Sequence, residues 1–152
     1  MHIIFKTPLI VCFFTATALF HTPSAQAADF VGVAKDNVNV RTGPGTNNPV
    51  HMELFEGYPL KVTGKEGTWL KIVDFENDSG WIEGSLTKAC DTVIVKVQTS
   101  ANLRSEPNTS SAIVASVDRG VILKKTGMQD QWMHVQHSSG VSGWIHQSLV
   151  WP

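Results

Sequence analysis

The sequence repeats one short motif, and this repeat constrains the fold more than any other feature. Residues 39–44 read NVRTGP, and residues 102–107 read NLRSEP, 63 positions further along the chain. The same offset pairs glycines, tryptophans and apolar residues: Gly57 with Gly120, Leu60 with Leu123, Gly64 with Gly127, Trp69 with Trp132, and residues 80–82 with residues 143–145. The period exceeds the roughly 20–50 residues of a solenoid unit. Each copy is therefore expected to be a small domain with its own core.

The amino-terminal segment, residues 1–27, has the three parts of a secretory signal. Lys6 precedes an apolar run over residues 9–20, and the segment ends in Ala25, Gln26 and Ala27. The apolar run is shorter than the roughly 20 residues that span a bilayer. We expect cleavage after Ala27, a periplasmic or secreted mature protein, and no membrane insertion after cleavage.

Composition narrows the possible partners. Twelve Lys and Arg less Lys6 leave eleven basic residues against thirteen acidic ones, a net charge of −2. The chain has no basic cluster that could follow a phosphate backbone, so nucleic acid and anionic membrane surfaces are disfavoured as partners. Residues 29–88 carry nine acidic and six basic side chains, whereas residues 91–152 carry four and five. The two repeats need not bind the same ligand.

The residue types that carry chemistry are sparse. Cys90 is the only cysteine behind the signal, which excludes an intramolecular disulfide and a Cys-rich zinc site. It is expected to be a free thiol or an intermolecular link. His134 and His137 differ by three positions and so lie on opposite faces of a regular strand, which favours solvent-exposed histidines over a metal site. With no nucleophile beside a base and no phosphate-binding loop, we predict no enzyme activity, no metal and no cofactor.

Alternating apolar residues and frequent turns predict an all-β fold. Each repeat divides into five or six short strands, with turns about every eight to twelve residues and no helical period. The predicted core of the first repeat is Val38, Val40, Val50, Leu54, Leu60, Val62, Leu70, Ile72 and Ile82. The predicted core of the second repeat is Leu103, Ile113, Val117, Leu123, Met133, Val135 and Ile145.

Each repeat resembles the bacterial SH3-like domain, also called SH3b. The family pattern is Asn-apolar-Arg before a Gly/Pro loop, a Gly before an apolar-Lys-Val strand, Trp-apolar-Lys-Val, and a final Gly-Trp-apolar. Here these are residues 39–44, 57–62, 69–72 and 80–82, and the second copy departs from them at Glu106, Lys125 and His134. The resemblance implies two small antiparallel SH3-like barrels in tandem, over residues 29–87 and 91–151. It also implies similarity to modules that hold cell-wall hydrolases on peptidoglycan or its peptide bridges.

Two classes of function follow from this resemblance. The first is a non-catalytic protein that binds peptidoglycan or an envelope peptide. The alternative is a structural or interaction protein that docks another envelope protein and has no cell-wall ligand. Peptidases that carry such modules need a separate catalytic domain of about a hundred residues, and the two repeats occupy nearly all of this chain.

Strand alternation selects the candidate ligand-binding residues. Trp69 shares a strand face with Lys71, and Trp81 shares one with Glu83, while the intervening apolar residues point the other way. Trp69, Trp81, Trp132 and Trp144 are therefore predicted to be half-exposed, where an indole can contact a peptide or sugar. The alternative is that they only close each barrel beneath a loop.

The first strand of each repeat supplies further candidates. Asn39 and Arg41, with Asn102 and Arg104, share its solvent side, although structural roles are favoured for them. An Asn side chain can bond to backbone groups of the adjoining loop, and an Arg stem can cover apolar surface while its charged end stays in water. Tyr58 is also a candidate, because the second repeat lacks it. Together with the extra aromatic residues Phe55 and Phe75, it favours the first repeat as the binding face.

Overall fold

The computed structural model describes residues 30–152, so the predicted signal segment lies outside the described residues. The first repeat forms seven strands: β1 (Phe30–Val33), β2 (Val38–Arg41), β3 (Val50–Leu54), β4 (Pro59–Glu66), β5 (Trp69–Val73), β6 (Ser79–Glu83) and β7 (Thr87–Ala89). They pair in the order β3-β2-β6-β5-β4-β1-β7. Every neighbouring pair is antiparallel.

The second repeat builds the same sheet from equivalent residues. Its strands are β8 (Thr92–Val95), β9 (Ser100–Arg104), β10 (Ile113–Asp118), β11 (Ile122–Gln129), β12 (Trp132–Gln136), β13 (Ser142–His146) and β14 (Val150–Trp151). The order β10-β9-β13-β12-β11-β8-β14 matches the first sheet strand for strand. The predicted all-β fold of two tandem SH3-like units is thus confirmed, and no sheet runs through Cys90.

Each sheet closes around its own apolar core, and most of the predicted core residues lie in it. The buried residues of the first core are Val33, Val38, Val40, Leu54, Leu60, Ile72 and Ile82, with Val62 and Leu70 partly buried against them. Those of the second core are Val93, Val95, Ala101, Leu103, Val117, Leu123, Met133, Val135, Ile145 and Val150. Strands β1 and β8 add buried valines that the prediction omitted.

The prediction that Val50 and Ile113 belong to the core is wrong. Their side chains are 49% and 55% exposed. Val40 pairs with Met52 while Arg41 pairs with Val50, so His51 is an extra residue in β3, and Val114 is the extra residue in β10. Such a bulge moves the preceding residue to the opposite face of the sheet. Val50 and Ile113 therefore lie beside the two arginines on the outer face.

A glycine allows strands β2 and β6 to approach closely. A Cβ atom on Gly80 would lie 2.4 Å from Cγ1 of Val40 and 3.1 Å from the Arg41 carbonyl oxygen. Gly143 is also crowded, because a Cβ atom there would lie 2.9 Å from Cγ2 of Val114 and 3.0 Å from the Arg104 carbonyl oxygen. The glycine of each Gly-Trp pair is therefore required by packing, since any side chain would occupy the space of a neighbouring strand.

The two repeats pack against each other through several contacts. The Thr92 hydroxyl donates to the Gly57 carbonyl at 2.5 Å, and the Phe30 and Trp151 rings meet edge to face at 5.3 Å. Arg119 of the second repeat binds Glu76 of the first at 2.9 Å. The Arg119 guanidinium also lies 5.0 Å from the centre of the Phe75 ring, within the range of a cation–π contact.

Candidate functional site

A groove opens where strands β2 and β6 separate. The two strands pair at one position only, Arg41 with Trp81, and they diverge beyond it. Trp69 pairs with Glu83 across β5 and β6, so both side chains stand on the face opposite the core. The resulting first groove has a volume of about 240 Å³. Its lining is Lys35, Asn37, Val38, Asn39, Arg41, Thr46, Trp69, Glu83 and Leu86.

The second repeat forms the same groove. Strands β9 and β13 also pair at one position, Arg104 with Trp144, and the space beside this pair has a volume of about 340 Å³. The lining of this second groove is Ser100, Ala101, Asn102, Arg104, Thr109, Trp132, His146, Ser148 and Leu149. Eight of these nine positions match the first groove at the 63-residue offset. The motif residues of both copies thus assemble into one duplicated feature.

Several predicted site residues meet in these grooves. Asn39, Arg41 and Trp69 line the first, and Asn102, Arg104 and Trp132 line the second. Both tryptophans are half-buried. The indole can therefore present one face to a ligand while its remaining surface packs against the protein.

The guanidinium group of each arginine forms a hydrogen bond with a backbone carbonyl of its own repeat. Arg41 donates from Nη1 to the Asn48 carbonyl at 2.7 Å, and Arg104 donates to the Ser111 carbonyl at 2.8 Å. Each guanidinium thereby holds the loop that follows its strand, whereas the sequence suggested that the charged end would stay in water. The loop in turn carries Thr46 or Thr109 to the groove. The arginines shape the groove and also line it.

Trp81 and Trp144 lie beside the grooves but do not line them. Each is half-buried and stands next to its arginine partner on the outer face. Trp144 also meets His134 of the adjacent strand at 5.0 Å between ring centres. We assign these two tryptophans to the outer surface next to each groove, where they extend its apolar edge.

Tyr58 lies apart from both grooves. Its hydroxyl donates to Oδ2 of Asp74 at 3.3 Å, and its ring lies 6.3 Å from that of Phe75, close to the second repeat. Burial, together with the neighbouring Asp74 carboxylate, raises the pKa of the Tyr58 hydroxyl well above its usual range. Tyr58 supports the hairpin over residues 74–78 and the contact between repeats. The structure does not bring it together with Asn39, Arg41 and Trp69.

The grooves differ most at one position, where Glu83 is replaced by His146. The Glu83 carboxylate accepts hydrogen bonds from the Ser85 hydroxyl and the Ser85 backbone N–H, and these bonds lower its pKa. His146 contacts the Ser148 hydroxyl at 2.7 Å through Nδ1 and Gln131 at 3.0 Å through Nε2. The first groove therefore contains a carboxylate, and the second an imidazole.

Sequence reasoning did not include Thr46, Glu83 or Leu86 among the site residues. Thr46 lies in a loop, and Leu86 lies in the short 3₁₀ turn Gly84–Leu86 that follows β6. The repeat could have identified two of them, because Thr46 matches Thr109 and Leu86 matches Leu149 at the 63-residue offset. Identity in loop and turn positions could have marked both as parts of the duplicated surface.

The two grooves offer an aromatic surface together with hydrogen-bonding groups. Within residues 30–152, no group of three His, Cys, Asp or Glu side chains is placed to hold a metal ion. No helix in that same range is long and apolar enough to cross a membrane. Each groove combines an indole face, an amide and a hydroxyl with ionisable side chains, which are Lys35, Arg41 and Glu83 in the first groove and Arg104 and His146 in the second. Such a mixture suits hydrogen-bonded recognition of a peptide or a sugar.

Comparison with known proteins identifies the family. The family model described as bacterial SH3 domain matches residues 34–88 and 97–152. The chain belongs to the bacterial SH3 domain family. The two matched ranges cover the two sheets except for their first strands, β1 and β8, and include every residue that lines the grooves.

Individual relatives are more distant. The Bacillus subtilis (strain 168) protein named "Putative N-acetylmuramoyl-L-alanine amidase YrvJ" is 26% identical over 155 residues, covering 93% of this chain. The chain spans only 30% of the length of that protein. Two solved structures, NlpC1 and NlpC2 from Trichomonas vaginalis, align over 90% and 85% of this chain and 51% and 49% of their own. They are 16% and 17% identical, and TM-scores of 0.37 are too low to inform function.

Proposed function

We propose that this chain is a non-catalytic binding protein of the bacterial cell envelope. Its ligand is peptidoglycan or an envelope peptide, and the two grooves bind it. One observation carries the proposal: the same groove, with the same Asn, Arg, Thr, Trp and Leu, is formed in both repeats. Each tryptophan is half-exposed and surrounded by polar groove residues. A role in core packing alone would not explain these polar surroundings.

Family membership supports the class of ligand. Bacterial SH3 domains are cell-wall-binding modules, and the relative from Bacillus subtilis carries the name of an N-acetylmuramoyl-L-alanine amidase. Both facts favour an extracytoplasmic location for this chain. The composition of the predicted amino-terminal signal agrees with such a location.

The absence of catalysis is also part of the proposal. The chain matches 30% of the amidase-named relative, and most of that match is taken up by the two SH3 domains. We expect the purified chain to release no soluble fragments from sacculi. Release of muropeptides by the wild-type chain would contradict this expectation.

Docking to another envelope protein is the second candidate function. Ile113 and Val114 are adjacent and 55% and 48% exposed, which gives the outer face of the second repeat an apolar edge. An exposed apolar surface of this kind is often a protein contact. In this case the chain would bind its partner without binding sacculi.

The test separates a ligand-binding tryptophan from a structural one. We would replace Trp69 and Trp132 separately by Ala, and use Phe55→Ala as the control, because Phe55 is an exposed aromatic residue that lines neither groove. Melting temperature and retention on purified sacculi are measured for each variant. We expect Trp69→Ala or Trp132→Ala to lower retention per folded molecule several-fold, because indole contacts commonly dominate such surfaces. The proposal fails if both variants, once shown to be folded, are retained like the wild type.

A further inference from the structure

A cleft separate from the two grooves lies between the repeats. It has a volume of about 550 Å³ and takes its walls from both units. The turn at Glu56 and Gly57 and the β7 residue Lys88 form one side. Asp91, strand β11 with Lys124, and the hairpin between β12 and β13 complete it. Its size falls within the range typical of small-ligand sites, which often lie at domain junctions.

The back of the cleft is held in place by packing between the repeats. The Thr92 hydroxyl bonds to the Gly57 carbonyl, and a Cβ atom on Gly57 would lie 3.3 Å from Cγ2 of Thr92. At the equivalent turn of the second repeat, Gly120 has no such neighbour within 4 Å. The cleft is therefore a product of the junction and is not duplicated. A cavity whose walls are already positioned costs little to order when a ligand binds.

The charges of the cleft are balanced. Lys88 meets Glu56 at 2.6 Å, and Lys124 lies 3.9 Å from Asp91. The side chains of Lys124 and Asp91 are 61% and 54% exposed, so this longer pair contributes little to stability. A ligand with one positive and one negative group could bind both Asp91 and Lys124. Breaking the ion pair between these two side chains would cost little free energy. A ligand with a single charge would leave one of the two groups facing a like charge.

We propose that this cleft binds a short peptide that carries both a free amino group and a free carboxylate. Asp91 receives the ammonium group, and Lys124, whose exposed and flexible side chain turns away from Asp91 to admit the peptide, receives the carboxylate. Gln136 and Ser138 also line the cleft, and their polar side chains can bond to peptide amides. The proposal does not depend on the function of the grooves, because the cleft and the grooves have no lining residue in common.

Calorimetry with defined peptides tests this site. The probe is trialanine, and its N-acetylated and C-amidated forms each remove one charge. We expect trialanine to bind the chain lacking residues 1–27 and both blocked forms to bind at least about tenfold more weakly. Asp91→Asn and Lys124→Gln should each weaken trialanine binding to a similar degree.

Lys61 provides the matched control, because it occupies the position of Lys124 in the first repeat and lies outside the cleft. Lys61→Gln should bind trialanine like the wild type. The melting temperatures of all three variants should be unchanged, since each altered side chain is exposed. The proposal is overturned if trialanine does not bind at millimolar concentration, if the blocked peptides bind equally well, or if Lys61→Gln weakens binding as much as Lys124→Gln. If Trp69→Ala and Trp132→Ala still bind trialanine, the result would support a site independent of the grooves. If these variants lose trialanine binding, that independence would be overturned.

Discussion

Replacing Gly80 by alanine tests the close packing of strands β2 and β6. The new Cβ atom would lie 2.4 Å from Cγ1 of Val40. Carbon atoms in contact prefer a separation of about 3.5–4.0 Å, so one strand must move by about 1 Å. Val40 is completely buried and branched at Cβ, so it has no free rotamer to adopt. The clash with the Arg41 carbonyl at 3.1 Å adds to this cost, because backbone cannot rotate away.

The expected magnitude is the difference between two opposing effects. Overpacking a well-filled core costs about 1–3 kcal/mol, and the severity of this contact favours the upper end. Removing a glycine stabilises by about 0.4–1 kcal/mol, because the unfolded chain loses conformational freedom. The net effect for Gly80→Ala is a loss of about 2 kcal/mol. For a domain of this size that loss corresponds to a fall of roughly 8–16 °C in melting temperature.

The assay is thermal and urea unfolding followed by circular dichroism, with two companion variants. Gly64→Ala is the control, because its Cβ atom would lie 3.6 Å from Cβ of Lys71, an ordinary contact. We expect its stability within about 0.5 kcal/mol of wild type. Gly143→Ala should cost about 1–2 kcal/mol, since Val114, 2.9 Å away, is half-exposed and can shift. The reasoning is refuted if Gly80→Ala is as stable as Gly64→Ala.

Two further predictions concern carboxylates of the first repeat. Asp74 is 5% exposed and accepts two backbone hydrogen bonds, at 2.9 and 2.8 Å, and a third from the Tyr58 hydroxyl. Asp74→Ala should therefore lower the free energy of unfolding, measured by urea titration, by about 2–4 kcal/mol. A loss below about 1 kcal/mol would mean that water replaces these bonds. Ser85→Ala should raise the pKa of Glu83 towards its ordinary value of 4.5, as followed by NMR. Because the folded-state pKa of Glu83 is depressed, its stabilising contribution is complete above that ordinary value and disappears as the pH falls through the lowered pKa. An unchanged pKa in Ser85→Ala would exclude the Ser85 hydroxyl as the main cause.

Much of the fold could be predicted from the sequence, because alternation and turn residues are local signals. Leu60, Ile72 and Ile82 occupy the core face as expected, and the tryptophans that flank them in sequence occupy the other face. Strand alternation predicted the wrong face of the sheet for Val50 and Ile113. A bulge inserts one residue into a strand without changing the apolar pattern, so the pairing partner is needed to detect it.

The candidate site was only partly predictable for a related reason. The repeated motif identified Asn39, Arg41 and Trp69, which the fold brings to one groove. Their approach depends on the pairing of β2 with β6 and of β5 with β6, strands that are separated in sequence, so one repeat of the motif does not reveal it. The placement of Tyr58 at the junction was not predictable, because nothing in one repeat indicates which of its faces meets the other repeat.

The most direct test of the account is an NMR titration of the chain lacking residues 1–27 with soluble muropeptides. The indole N–H groups of the tryptophans give separate, assignable signals in such spectra. We predict that the Trp69 and Trp132 indole signals shift, together with the backbone amides of Asn39 and Asn102. The central claim would be contradicted if saturating muropeptide left both indole signals in place, or if all shifted signals belonged to residues outside the two grooves.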